Sequence, residues 1–337
     1  MSRPDEALVT LQTGPEVAER LLDELFARPR RAVFEWSRIT GQTAQVRLAY
    51  PGQHLASVIT GVPGSGTAAR GVDLADGSEV KSCSRADQLG SCRDCGSGVL
   101  PHQELCPACG SESLIRKTDS HWIFSIKSKQ ELAQYLDAPR IVLILFDRDV
   151  SDPAAVRVRA WEVWPRDPRH EYFRWFALDY LENNYLAKTS EGLAPAPLNL
   201  HPLKFDFLMM NPVLVFGATI KDADTDSSTV HVEWIADPLR DRATLPVEPM
   251  PAAVVRPGAL LDLAGRMDDP AVTRSSEGKV SVKEAARLRA TAAGRVSIAR
   301  GLVSLDEKTR LLLPRPIKRI KRTPSAYRRR RASTEEG

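Results

Sequence analysis

The 337-residue chain has no run of about 18 apolar residues. Its longest clean apolar stretch is Ile141–Phe146, too short for a spanning helix. The start, Met1-Ser-Arg-Pro-Asp-Glu, lacks the charged-then-apolar pattern of a secretion signal. We therefore expect a cytoplasmic protein with no membrane partner. Cysteine is absent outside positions 83–109, where all five cysteines lie. That clustering argues against a disulfide framework and for metal. No internal repeat is present. Gly61-Val-Pro-Gly-Ser-Gly-Thr67 lacks the Gly-Lys-Ser/Thr ending of a phosphate loop, so we read a turn there rather than a nucleotide site.

What is present is an ordinary globular composition, with 42% hydrophobic and 27% charged residues, enough for one large domain or two smaller ones. The net charge of +4 conceals an asymmetry. Residues 281–337 hold 16 Lys/Arg against 5 Asp/Glu, a net of +11, and the remainder holds 31 against 38, a net of −7. A basic end on an acidic body suits a polyanionic partner or a solvated tail.

The expected organisation is an N-terminal helical region at 1–60, a core at 61–235 with an insert at 88–116, a proline-rich linker at 236–280, and a basic region at 281–337 with a disordered tail. Apolar positions 17, 21, 22, 25 and 26 recur at helical spacing, and Pro29 is expected to end that helix. A strand is expected at 45–50, broken by Pro51-Gly52, with a helix from Gln53. Strands are expected at 71–75, 78–82, 121–126, 140–146, 157–164, 213–216 and 230–234. Helices are expected at 128–136, with Ser128 as N-cap, and at 172–188. Residues 195–202 read as irregular, and a helix is expected from Val282.

Cys92-x-x-Cys95 and Cys106-x-x-Cys109 are separated by ten residues. Two such knuckles, each followed by glycine (Gly96, Gly110), describe a zinc ribbon whose four thiolates close a tetrahedron around structural Zn²⁺. Cys83 is left over as a packed residue, and His102 is surplus to a filled site.

Asp73, then five residues, then Glu79-Val80-Lys81 supplies two carboxylates and an ammonium. Carboxylates are the hard oxygen ligands Mg²⁺ prefers, and a lysine beside them can address a phosphate oxygen or attacking water. Glu79 and Lys81 share a strand face. The order strand, Glu-x-Lys strand, strand, helix, strand over 71–146 is that of the PD-(D/E)xK nuclease core: an α/β, restriction-endonuclease-like fold with a mixed sheet flanked by helices and the four-cysteine zinc ribbon inserted. For Asp73 to face Glu79, the turn at Asp76-Gly77 must be bulged, with Gly77 at positive φ, pairing 74 with 78 and 73 with 79. Gln53 and His54 could join the metal shell or serve structurally. Asn183-Asn184 read as a helix-end cap or as contacts to base edges, and Trp161, Trp164 and Trp175 as core.

Gly71-Val-Asp-Leu, Glu79-Val-Lys-Ser-Cys-Ser-Arg-Ala-Asp-Gln-Leu-Gly, the four-cysteine ribbon, Asp119-Ser-His-Trp122 and Asn199-Leu-His-Pro202 together resemble the MamI-type family of type II restriction endonucleases over roughly residues 40–235. The resemblance implies Mg²⁺-dependent cleavage of double-stranded DNA at a short, interrupted palindrome. It implies catalysis by Asp73, Glu79 and Lys81, with Asp73 and Glu79 holding the metal, and Zn²⁺ on the four ribbon cysteines. A palindrome matches a homodimer, and a restriction enzyme has a cognate DNA methyltransferase as genetic partner. A repair or recombination nuclease of the same superfamily and a non-enzymatic zinc-ribbon nucleic-acid-binding protein are the competing readings.

Overall fold

The structure is a computed structural model. It describes residues 5–255 apart from 43, 45, 67–71, 101–102 and 150, together with Ala259, 304–305, 307–311 and Leu313. Gly71, His102, the helix expected from Val282 and the basic tail lie outside the described residues. Among the described residues no helix is long and apolar enough to cross a membrane.

A five-stranded mixed sheet forms the centre. Its strands are β1 (Glu79–Ser84), β6 (Ile141–Arg148), β7 (Val156–Val163), β9 (Val213–Lys221) and β10 (Thr229–Ile235), adjacent in that order. β1 runs parallel to β6, with Glu79 opposite Ile141 and Lys81 opposite Leu143; the other neighbours are antiparallel. Ile141–Phe146 is buried throughout, which explains its continuous apolar sequence: both sheet faces are covered. Val142, Ile144 and Phe146 meet α1 (Pro15–Leu22) and α3 (Ala49–Thr60) through Leu22, Leu55 and Ile59. Leu143, Leu145 and Trp161 meet α4 (Lys129–Asp137) and α5 (Glu171–Tyr180) through Leu132, Leu136, Phe173 and Phe176.

Several expectations are corrected. Pro29 does not end the first helix. A π turn at Asp23–Ala27 carries α1 into α2 (Arg28–Thr40), and such a widened turn makes room for a ring with no N–H to give. Among the described residues of 45–50 no strand forms, because α3 begins at Ala49 and Pro51 sits in its first turn, where a missing N–H costs nothing. Of the strand expected at 71–75, the described residues 72–75 form none; Leu74 makes only an isolated bridge to Gly64. The strand near 121–126 shrinks to β5 (Trp122–Phe124), and Leu198–Leu200, within the stretch expected to be irregular, is its partner, β8. This pair lies on the main sheet rather than in it, and the Trp122 indole N–H donates to the Ile144 carbonyl at 2.9 Å.

Ser128 caps α4 as expected, its hydroxyl accepting from Glu131 N–H at 3.1 Å. The second long helix continues from α5 through a π turn at Leu181–Leu186 to Ser190, so Asn183 and Asn184 lie mid-helix and cap nothing. Part of the proline-rich stretch docks on the core. Met250 pairs with Leu305 and is buried with Val255, and the Glu248 carboxylate accepts the Trp161 indole N–H at 2.8 Å.

His170, before α5, is buried against Trp164, 4.7 Å between ring centroids, and Nδ1 donates to the Met210 carbonyl at 2.8 Å. Burial lowers its pKa to about 4. The unfolded chain takes up a proton at this residue near pH 6.5 while the folded one does not. Folding free energy is therefore intact above pH 6.5 and falls as pH drops toward 4, by about 3 kcal/mol from this group. Denaturant titrations of wild type and His170→Asn should show this part of the acid sensitivity missing in the variant.

Candidate active site and metal centre

Asp73, Glu79 and Lys81 come together at the start of β1, the edge strand of the central sheet. Gly77 has φ +87°, a conformation glycine adopts freely. The turn it makes pairs 74 with 78: Leu74 N–H donates to the Ser78 carbonyl at 3.1 Å and Gly77 N–H to the Leu74 carbonyl at 3.0 Å. The next rung is made by a side chain, as Asp73 Oδ2 accepts the Val80 N–H at 2.7 Å. Asp73 Oδ1 accepts from Gln53 Nε2 at 2.5 Å. Lys81 Nζ donates to Glu79 Oε1.

Burial raises the Glu79 pKa, and the nearby Asp73 charge adds to the rise against the pull of Lys81. Burial works against the Lys81 ammonium, yet Glu79, Tyr135 and Asp73 outweigh it and hold that pKa above the ordinary lysine value. Two neighbouring carboxylates in a half-buried site suit a hard divalent cation. The donor set therefore fits coordination of such a metal.

Two further residues reach the trio. Gln53 projects from α3, whose close approach to β1 depends on Gly52: a Cβ there would lie 2.5 Å from Ser82 Oγ and 2.7 Å from Ser82 Cβ. His54, the next residue, is exposed. Tyr135 on α4 was missed in the sequence; its ring centroid is 5.6 Å from Lys81 Nζ, with Phe124 at 6.0 Å. The helical pattern of α4 showed only that Tyr135 neighbours the apolar face.

Behind the turn lies a buried ionic chain. Arg140 Nη2 is 2.6 Å from Asp76 Oδ2, its Nε donates to Ser78 Oγ at 3.1 Å, and its Nη1 is 3.6 Å from Glu162 Oε1. Arg242 Nε is 3.1 Å from Glu162 Oε2. The Arg140 carbonyl accepts the Glu79 N–H at 3.1 Å.

The insert holds β2 (Gly90–Cys92) between β3 (Gly98–Val99) and β4 (Leu114–Ile115). Its two knuckles repeat one geometry. Gly96 N–H donates to the Cys92 carbonyl at 3.1 Å and Gly110 N–H to that of Cys106 at 2.9 Å, with both glycines at positive φ. The sulfurs of Cys92, Cys95, Cys106 and Cys109 lie within 4.8 Å of one another, with Cys92–Cys109 at 3.7 Å and Cys95–Cys106 at 3.5 Å. Four sulfurs about 2.3 Å from a zinc ion would stand about 3.8 Å apart, so the cluster is compatible with Zn²⁺. Hydrogen bonds with Ser97 lower the Cys95 pKa to about 6. Cys109 is pushed up to about 12: the Ser111 N–H favours its thiolate, but the neighbouring sulfurs outweigh it. A cation is what lets all four ionise together. Cys83 is buried, its thiol raised to about 12 by burial.

The family model described as MamI restriction endonuclease matches residues 35–253, a span that contains both centres. The chain belongs to this family. A curated relative, the "Type II restriction enzyme MamI" of Microbacterium ammoniaphilum, is 34% identical over 151 residues, covering 42% of this chain and 42% of that protein. The match thus spans less than half of that relative's length. No solved structure matches.

The Gly52 contact gives a direct test of how the trio is held. Gly52→Ala must push α3 away from β1 and should lower stability by about 1–3 kcal/mol, as overpacking does. Ser82→Gly in the same chain should recover part of the loss, as measured by thermal unfolding.

Proposed function

We propose that the protein is a type II restriction endonuclease that hydrolyses phosphodiester bonds in double-stranded DNA at a short, interrupted palindromic site. The carrying observation is the convergence of Asp73, Glu79 and Lys81 at the edge of a mixed α/β sheet in a chain of the MamI restriction endonuclease family. The central sheet, its Glu-x-Lys edge strand and the helix α4 that crosses from β1 to β6 support a PD-(D/E)xK core. A homodimer matches a palindromic target, and a cognate DNA methyltransferase would protect the host's own sites.

In this reading Asp73 and Glu79 would hold catalytic Mg²⁺, which when bound would activate water and offset charge at the phosphate. Gln53 fixes the rotamer of Asp73, and the Val80 N–H fixes its other oxygen. Lys81 has three donors, of which Glu79 takes one and Tyr135 another. The third can address a phosphate oxygen, with the Phe124 and Tyr135 rings flanking Nζ. Cys92, Cys95, Cys106 and Cys109 hold a structural Zn²⁺ that secures the insert.

Alanine at Asp73, Glu79 or Lys81 should abolish plasmid cleavage while DNA binding survives, because positioning contacts to the duplex lie elsewhere. Discrete fragments from wild type with Mg²⁺ are expected; a variant at any of the three that cuts normally would remove that residue from the reaction.

Metal analysis should find about one zinc per chain, lost in Cys106→Ser together with the protease resistance of 88–116, since structural zinc contributes folding free energy directly. Zinc content unchanged in that variant would refute the site.

A further inference from the structure

Three sequence motifs contribute nothing to the trio: Arg85 after β1, Asp119-Ser-His121 before β5, and Asn199-Leu-His201-Pro202 around β8. They meet beyond the far end of β1. Arg85 Nη2 donates to the Pro202 carbonyl at 2.8 Å, and Nη1 lies 3.4 Å from Asp147 Oδ2. The His121 and His201 rings stand 4.9 Å apart. The Arg85 side chain is 7% exposed, yet its Nε has no partner among the described residues.

Arg159, on β7, adjoins this cluster. It faces Gly217 on β9, which has no side chain to cover it, and Leu145 on β6. It is half-buried, and its Nε also has no partner among the described residues. Among the described residues it makes no ion pair. Two carboxylates act on it from a distance: Glu248, which also accepts the Trp161 indole N–H, and Asp147, which pairs with Arg85. Its guanidinium carbon lies 5.4 Å from the centroid of the Trp161 ring. Burial lowers its pKa; Glu248 and Asp147 favour its charge and Arg157 and Arg85 oppose it, so the pKa stays below the ordinary arginine value. The incompletely compensated charge of a sequestered arginine is costly in free energy and suits an anion, which a guanidinium binds well.

We propose that Arg159 and Arg85 form an oxyanion site that takes a phosphodiester group of the DNA backbone. Four residues of extended strand separate Arg85 from Lys81, roughly 13 Å, and both face the same side of the sheet. Successive phosphates of one strand are about 3.4 Å apart along the duplex axis, so one duplex can reach the trio and this site together. The proposal rests on the nuclease reading for its ligand, but not for the existence of an anion site.

The test uses full-length protein and Arg159→Met, which keeps an apolar stem. Three readouts are taken: melting temperature in chloride, melting temperature in inorganic phosphate at matched ionic strength, and affinity for a random-sequence duplex with Ca²⁺ replacing Mg²⁺. Wild type should be stabilised by phosphate. The variant should be at least as stable in chloride, unresponsive to phosphate, about tenfold weaker for DNA, and shallower in salt dependence by about one unit. A variant less stable in chloride, with no phosphate response in wild type, would overturn the proposal and make Arg159 structural. Loss of the phosphate response with DNA affinity and salt slope unchanged would overturn the DNA assignment in favour of a free phosphate. Glu79→Gln separates the two readings: normal cutting by that variant sinks the nuclease reading, while the phosphate response of Arg159 stands or falls by itself.

Discussion

Arg140 sets the geometry on which the site depends. Its carbonyl accepts the Glu79 N–H, which starts the parallel pairing of β1 with β6. Its guanidinium holds Asp76 and Ser78, the turn that aims Asp73. A buried arginine needs carboxylates to offset its desolvation, and Asp76 and Glu162 supply them, Glu162 being shared with Arg242. One residue therefore couples the register of the sheet, the conformation of the turn and the position of a carboxylate. Replacing any member leaves another charge buried without its partner.

The insert is attached so that it disturbs none of this. It leaves after β1 and returns before β5, and its two ends are tied together: Gln88 bonds Asp119, and Ser120 Oγ donates to the Ser84 carbonyl at 2.5 Å. A loop whose ends already meet adds little closure cost to the host fold. Inside, its hydrophobic cluster is only Cys92, Val99 and Cys106 among the described residues, with Leu114 against them, far too small a core to fold alone. The sulfur cluster thus replaces a hydrophobic core in that segment, which is why it can be read from four cysteines and two glycines without reference to the rest.

The same locality explains what the sequence disclosed. The ribbon, the Ser128 cap, the apolar β6 and the bulged turn at Gly77 are each written within a few residues and are found as expected. Tertiary context decided the rest. Pro29 and Pro51 signal breaks only if the surrounding backbone is regular, and a π turn and a first-turn position accommodate them. The reduction of 72–75 to a bridge and the pairing of β5 with β8 depend on partners elsewhere in the chain. Gln53 could be singled out by its polarity near the core, but its bond to Asp73 required α3 to pack at Gly52. Tyr135 and Arg159 gave no local signal, because their significance lies in what faces them across elements.

Glu79, Lys81 and Arg85 then show how one edge strand can carry two opposite solutions to buried charge. At its start, carboxylates outnumber the ammonium, so the surplus is negative and suits a cation. Past its end, Arg85 and Arg159 each keep a buried Nε without a partner among the described residues, a place that suits an anion. Neither arrangement helps the chain fold, since each leaves charge incompletely paired in a poorly solvated place. Yet β1 is anchored along its length by β6 and at its start by the Arg140 chain, so the fold tolerates both. Local electrostatic disadvantage of this kind, sustained by a rigid sheet, is what a protein needs in order to bring a metal and a polyanion to one face.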